Sequence, residues 1–232
     1  MTSHPCRTGA GRSRSGLEVA ELMAKHIDSY RQRYALGSAQ NAVVRDLVRC
    51  RTAALGGHLD ICTLPNCSFE RPAYNSCRNR HCPKCQGFAQ ARWVERRMQR
   101  VLPTHYFHVV FTLPSELHDI ARRNRTLVFG LLLRCAAETL LTLGRDPKWL
   151  GSAAQLGVTT VLHTWTRELR FHPHAHCIVT GGGLSLDGSR WVSASQDFLF
   201  PVHVLGALFR GKLLAALERA HRQGDQIGRA HV

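Results

Sequence analysis

The stretch FHPHAHCIVTGGG, residues 171–183, carries histidines at 172, 174 and 176 and then runs into apolar residues and three glycines. Histidine is the commonest metal-binding side chain, and clustering three of them merely to fill a core would be expensive. If the stretch is a strand, period-two alternation puts His172, His174 and His176 on one face. Pro173 supports an extended chain, because it disfavours the helical region for the residue before it. Two histidines at i and i+2 on a rigid strand, here His174 and His176 around Ala175, can hold a divalent ion with positions left open for substrate. Such an ion polarises a phosphodiester oxygen and orients the scissile group for attack. His172 is the expected third ligand, with Glu168 and Gln155 as weaker candidates upstream. His163 and Trp165 share a face of the preceding strand, where His163 reads as a core or supporting residue. His105 and His108 read as strand-edge or packed residues. A buried, hydrogen-bonded histidine pair is the competing account of the motif.

A second ligand-rich segment reads CTLPNCSFERPAYNSCRNRHCPKCQ. Five of the nine cysteines fall between Cys62 and Cys85, which is metal-site clustering. Without a secretory signal these thiols are expected to stay reduced. Cys82 and Cys85 form a CxxC knuckle and Cys62 and Cys67 a looser pair. Two such pairs can close a tetrahedral zinc site with zinc–sulfur distances of about 2.3 Å. The expected ligands are therefore Cys62, Cys67, Cys82 and Cys85. Cys77 and His81 compete as alternatives, and His58 and Cys50 lie further outside. A structural zinc would supply the folding free energy that so small and polar a segment lacks.

Lys and Arg outnumber Asp and Glu by 31 to 16, a formal charge of +15. A protein this basic usually meets a polyanion, and nucleic acid is the first candidate. Arg78, Arg80 and Lys84 lie in the cysteine module, and Arg92, Arg96, Arg97 and Arg100 follow on the next helix. Arginines on a rigid zinc knuckle suit phosphate contacts, which position a protein on DNA without reading bases. A merely solvated basic face is the competing account. No apolar run reaches the roughly 18 to 20 residues of a membrane span, so a cytoplasmic protein at the nucleoid, with no membrane partner, is expected.

The elements that must position these residues follow from periodicity. Two amphipathic helices, LEVAELMAKHIDSYRQRY and AQNAVVRDLVRCRTAAL, precede Gly56-Gly57. A cysteine-rich loop is expected over about 58–86, then a basic helix, FAQARWVERRMQRVL. HYFHVVFTL has the composition of a strand. A long helix over about 115–143, a strand over about 157–169 and the histidine strand come next. Turns around a short strand and an amphipathic helix, PVHVLGALFRGKLLAALERAHRQ, complete an α+β chain.

CRTAALGGH, YNSCRNRHCPKCQ, FHVVFTLP and VLHTWTRELRFHPHAHCIVTGGG, in this order, resemble the rolling-circle transposases of the insertion-sequence ninety-one (IS-ninety-one) family, including those of the common-region elements. The resemblance spans about residues 38–222. It implies an N-terminal zinc-binding domain, then an HUH endonuclease domain (U being hydrophobic) with an antiparallel ferredoxin-like sheet. The HUH pair maps onto His174 and His176, and the family implies Mg²⁺ or Mn²⁺ there, although three imidazoles alone favour zinc or another later transition metal. The implied reaction cleaves single-stranded DNA at insertion-sequence ends. A tyrosine forms a 5′-phosphotyrosine and leaves a free 3′-hydroxyl.

The family's paired tyrosines lie downstream of the HUH strand, whereas here the tyrosines are Tyr30, Tyr34, Tyr74 and Tyr106, none after His176. Tyr30 and Tyr34 have i, i+4 spacing but precede the zinc module. The last residues, QIGRAHV, back-translate as CAG ATC GGA AGA GCA CAC GTC, which resembles a short-read sequencing adapter. The expected organisation is a disordered basic start (1–16), a helical zinc- and DNA-binding domain (17–100), a partial HUH domain lacking its C-terminal part (101–224) and a non-native tail (225–232). The expected function is that of a DNA transposase, with this chain inactive alone. The alternatives are a non-catalytic zinc-dependent DNA-binding protein and a small-substrate zinc hydrolase using Glu168.

Overall fold

In a computed structural model, residues 17–65 and 67–224 are described; the expectations for 1–16 and 225–232 lie outside them. The chain divides into two compact units, Met1–Val101 and Leu102–Val232.

The first unit begins with helices α1 (Val19–Arg33) and α2 (Ser38–Arg49), which pack together. The segment expected to be a loop contains an antiparallel hairpin, β1 (Gly57–Ile61) and β2 (Glu70–Tyr74), in register from Gly57–Tyr74 to Ile61–Glu70. Its charged and proline-containing strands lack the apolar alternation that would mark them in the sequence. Gly57 is required at its base, since a Cβ there would lie 2.6 Å from the carbonyl oxygen of Ala73. Helix α3 (Pro83–Met98) starts at the CPKC knuckle, with Pro83 in its first turn, where a proline's missing N–H costs nothing. Among the described residues, the buried core is Leu47, Cys50 and Cys82, flanked by Met23, Val43, Cys77 and Cys85.

The second unit is a four-stranded antiparallel sheet with helices on one face. β3 (Tyr106–Thr112) and β4 (Ala154–Trp165) flank the central β5 (Phe171–Ser185), and β6 (Trp191–Ser193) pairs with the end of β5. The expected long helix is instead a 3-10 turn, α4 (His118–Arg123), α5 (Arg125–Arg145) and α6 (Pro147–Leu150), broken at Asn124 and Asp146. Helix α7 (Val202–Arg222) packs on α5. Ala175, Cys177 and Val179 of β5 are fully buried and share a core with Phe111 of β3, Leu132 and Leu140 of α5, and Phe209 and Leu213 of α7. Alternation therefore sends His174 and His176 to the opposite, helix-free face. The order strand-helix-strand-strand-helix agrees with a ferredoxin-like arrangement.

By length and composition α5 is apolar enough to cross a membrane, which the expectation of no such run missed. Half of its most apolar stretch is buried inside the protein, and Arg134 and Glu138 interrupt it, as befits a core helix.

Candidate metal centres

Four cysteines converge in the first unit, and they are not the four expected. Cys50 ends α2, Cys77 follows β2, Cys82 caps α3 and Cys85 lies in its first turn. Sulfur–sulfur distances are 3.5 Å for Cys50–Cys82, 3.6 Å for Cys50–Cys85 and 3.7 Å for Cys77–Cys85. A tetrahedron with zinc–sulfur bonds of about 2.3 Å has edges of about 3.8 Å, so the set fits zinc. Backbone N–H groups of Cys77 and Asn79 point at the sulfurs of Cys50 and Cys77. The turn between Cys77 and Cys82 is held by Asn79, which bonds Asp46 and the His81 N–H, and Arg78 adopts the left-handed region, φ 53°.

Burial pushes the Cys77 thiol up to about 12 and raises that of Cys50. At Cys85 burial also raises the value, but hydrogen bonds from Cys50 and Cys82 outweigh it and bring the thiol down to about 7. Cys85 is thus the thiol most easily ionised, and binding a dication would ionise its neighbours as well.

Cys62 and Cys67, the expected first pair, lie outside this group. Cys50 and Cys77 flank the base of the β1–β2 hairpin, where Arg51 N–H bonds Asn75 and Asn75 N–H bonds Gly56. Cys62 and Cys67 occupy its far end, roughly 15 Å along the strands. Of the alternatives, Cys77 is in the cluster, whereas His81 and His58 are outside it.

The histidine expectation needs a comparable correction. His163 joins His174 and His176, their ligand nitrogens within 4.8 Å of one another; His172 does not. His163 sits directly opposite His174 in the β4–β5 ladder. Between that pair and Trp165–Phe171 the register shifts, with two residues of β4 spanning three of β5. His172 keeps the alternation, half-buried like His174 and His176 while Pro173 and Ala175 are buried, and its ring lies 5.4 Å from that of His174, but its nitrogens fall outside the group of three. The His172 ring lies beside His118, 6.1 Å between centroids, and its backbone carbonyl accepts from His174 Nδ1 at 2.6 Å. That bond orients His174 with Nε2 free for a metal. Of the weaker candidates, Glu168 accepts from Thr166 Oγ1 and Gln155 from Arg145.

His108, expected as a packed edge residue, lies 2.7 Å through Nε2 from His176 Nδ1, its ring within 3° of parallel. If His176 ligates through Nε2, its Nδ1–H donates and His108 accepts, the supporting bond that metal-bound imidazoles usually have. Burial, then charge on His163, His174 and His108, holds the His176 pKa below the usual 6.5, favouring the neutral, ligating form. The sequence carried no direct signal for this pairing: a regular ladder from Trp165–Phe171 would set His163 against Pro173, and the register shift moves it to His174.

Arg78, Arg80, Arg92, Arg96, Arg97 and Arg100 are exposed, and α3 buries none of its residues. Arg92 stacks over Phe88 at 5.8 Å and Arg97 over Trp93 at 5.3 Å. Lys84 departs from the expected free phosphate contact, because its ammonium is paired with Glu18 at 2.5 Å.

A cysteine cluster with zinc-site geometry is followed by an α+β unit that gathers three histidines, and comparison with known proteins narrows the class. A family described as "Transposase zinc-binding domain" matches residues 22–113, and one described as "Putative transposase" matches 157–232. The chain is 49% identical over 213 residues to "Putative transposase y4qJ" of Sinorhizobium fredii, covering 91% of this chain and 52% of that protein. It is 32% identical over 169 residues to the transposase for insertion sequence element IS801 of Pseudomonas savastanoi pv. phaseolicola, covering 67% and 40%. Both units are thus similar to transposases, one of them that of insertion sequence element IS801, and the chain spans about half the length, or less, of these relatives. Among solved structures, the conjugative relaxase TrwC with mutant oriT DNA overlaps 49% of this chain and 44% of its own at 18% identity, TM-score 0.40. The metal-bound TrwC complex gives 19% identity and 0.38, covering 48% and 42%. Likeness at that level has no functional weight.

Proposed function

We propose that this chain is the zinc-binding and metal-binding part of a DNA transposase that cuts and rejoins single-stranded DNA at insertion-sequence ends by rolling-circle transposition. The observation that carries the reading is the convergence of His163, His174 and His176 on the helix-free face of the sheet. Bound there, a divalent ion, Mg²⁺ or Mn²⁺ by family resemblance, would polarise the phosphodiester and orient it for attack. His108 and the His172 carbonyl hold two of the imidazoles in place. The arginines of α3 neutralise phosphates, and the cysteine cluster, with zinc, keeps that helix in position. Attack belongs to a tyrosine hydroxyl, which bonds to phosphorus as the 3′-oxygen leaves. No tyrosine follows His176, so the reading assigns binding and positioning to these residues and the attack to a tyrosine outside them.

The test is nicking of labelled single-stranded element ends with Mn²⁺, comparing this chain with the full-length Sinorhizobium relative. The expected result is a covalent protein–DNA adduct from the longer protein only, with single-strand binding by both. An adduct from this chain that Tyr30→Phe or Tyr34→Phe abolishes would overturn that division of labour. Adduct from neither, with DNA affinity indifferent to His174→Ala and His176→Ala, would favour the non-catalytic DNA-binding protein.

A further inference from the structure

The hairpin that carries the triad also carries a large apolar surface that no packing explains. Trp165 ends β4 and is 57% exposed. It lies two residues beyond His163, hence on the same face and roughly 7 Å along the strand. Its cross-strand partner is Phe171, which is backed on its own ring by the Arg122 guanidinium at 4.6 Å. The turn that follows is closed by the Thr166 N–H to Arg170 carbonyl bond at 2.9 Å. It exposes Arg167 and Arg170, and it holds Leu169 in the left-handed region, φ 60°, with the side chain 79% exposed. The acid in this turn, Glu168, accepts from the Thr166 hydroxyl. A single exposed hydrophobe needs no explanation. An exposed indole beside a metal-ligand triad, between arginines, has the composition of a surface that holds an unpaired base by its face and its phosphates by charge.

We propose that Trp165 is a stacking platform for the base next to the phosphate at the histidine triad, with Arg167 and Arg170 on the adjoining backbone. The inference rests on the reading of the triad as a single-strand DNA site and adds to it a residue that sets which nucleotide lies there. The ligand is single-stranded rather than duplex DNA, because a paired and stacked base has no free face for the indole. A spacing of roughly 7 Å from the ligand position places the platform within one nucleotide of a phosphate bound there.

The experiment measures equilibrium binding, with Mn²⁺, of single-stranded oligonucleotides of the element end in which one abasic site is stepped along the strand. The proteins are the full chain, Trp165→Ala, Trp165→Phe and His174→Ala. In the unaltered chain one abasic position should lower affinity roughly ten- to hundred-fold. Trp165→Ala should lose the same on the intact strand and nothing further at that position, while Trp165→Phe keeps most of the affinity. Trp165→Ala showing the same abasic profile as the unaltered chain overturns the platform while leaving the triad reading intact. Loss of single-strand binding as a whole, or binding unchanged in His174→Ala, overturns the triad reading, and the platform falls with it.

Discussion

The two units solve the problem of a stable core in different ways. The sheet unit buries twenty residues in one continuous cluster spanning strands and helices. Among its described residues the zinc unit buries three, two of them cysteines. A core of that size cannot offset the conformational entropy of ordering its chain, so the cysteine cluster is itself the core, and a zinc held there would be its central atom. In the sheet unit the dependence runs the other way: the fold stands on its apolar side and offers the histidines on the face it does not need.

The largest expected effect breaks that comparison directly. Chelation, or Cys82→Ser, should unfold the first unit, since structural zinc contributes roughly 10 to 16 kcal/mol of apparent binding free energy. Hydrogen exchange read unit by unit should show protection lost through α1–α3 and kept in β3–β5. Equal loss in both units would refute the separation. The converse is Phe111→Ala, which empties a site 5% exposed and packed on Phe209 at 4.8 Å. It should cost about 3 to 5 kcal/mol of sheet-unit stability in denaturant titration and leave zinc content unchanged.

Smaller effects sharpen the picture at the triad. His108→Ala should weaken Mn²⁺ binding about ten- to hundred-fold, measured by calorimetry, without altering the urea midpoint of the sheet unit much. A fall in stability with affinity untouched would make His108 a packing residue only. In the metal-free protein, His176 is depressed below its unfolded value of 6.5 by burial and by its histidine neighbours. The unfolded state therefore binds more protons, so this contribution is complete above pH 6.5 and is lost as pH falls through the folded value. Urea titrations of the unaltered chain and His176→Asn should diverge in that direction. Least of all, Arg96→Ala should reduce the log–log salt slope of single-strand binding by about 0.7, the share of one phosphate; Lys84→Ala, whose ammonium Glu18 already holds, should leave the slope alone.

The histidine strand, its apolar continuation and the knuckle Cys82–Cys85 were legible because each is local: alternation on one strand and one turn between two ligands. The ligands that sequence reasoning displaced come from elsewhere in the chain. Cys50 lies at the end of a helix thirty-two residues before Cys82, and it reaches the cluster because the β1–β2 hairpin folds out between them. Cys62 and Cys67 look like the natural partners by spacing, yet that same hairpin carries them to its far end. Lys84 counted as a free cation until the start of α1 brought Glu18 to it.

Residue type and order alone determined that this is an α+β protein with a cysteine-based metal module before a histidine strand, in a strongly basic chain. Periodicity is a property of neighbours and survives without knowledge of the fold. Which imidazole completes the triad was decided by tertiary structure. The β4–β5 register sets His163 against His174, while His172, on the same face, lies beside His118 with its nitrogens outside the group of three. His108 reaches His176 because β3 pairs with β5 on its other side. A strand's own sequence states which residues share its face, but only pairing across the sheet states which of them meet, because that depends on a register shared by two distant segments.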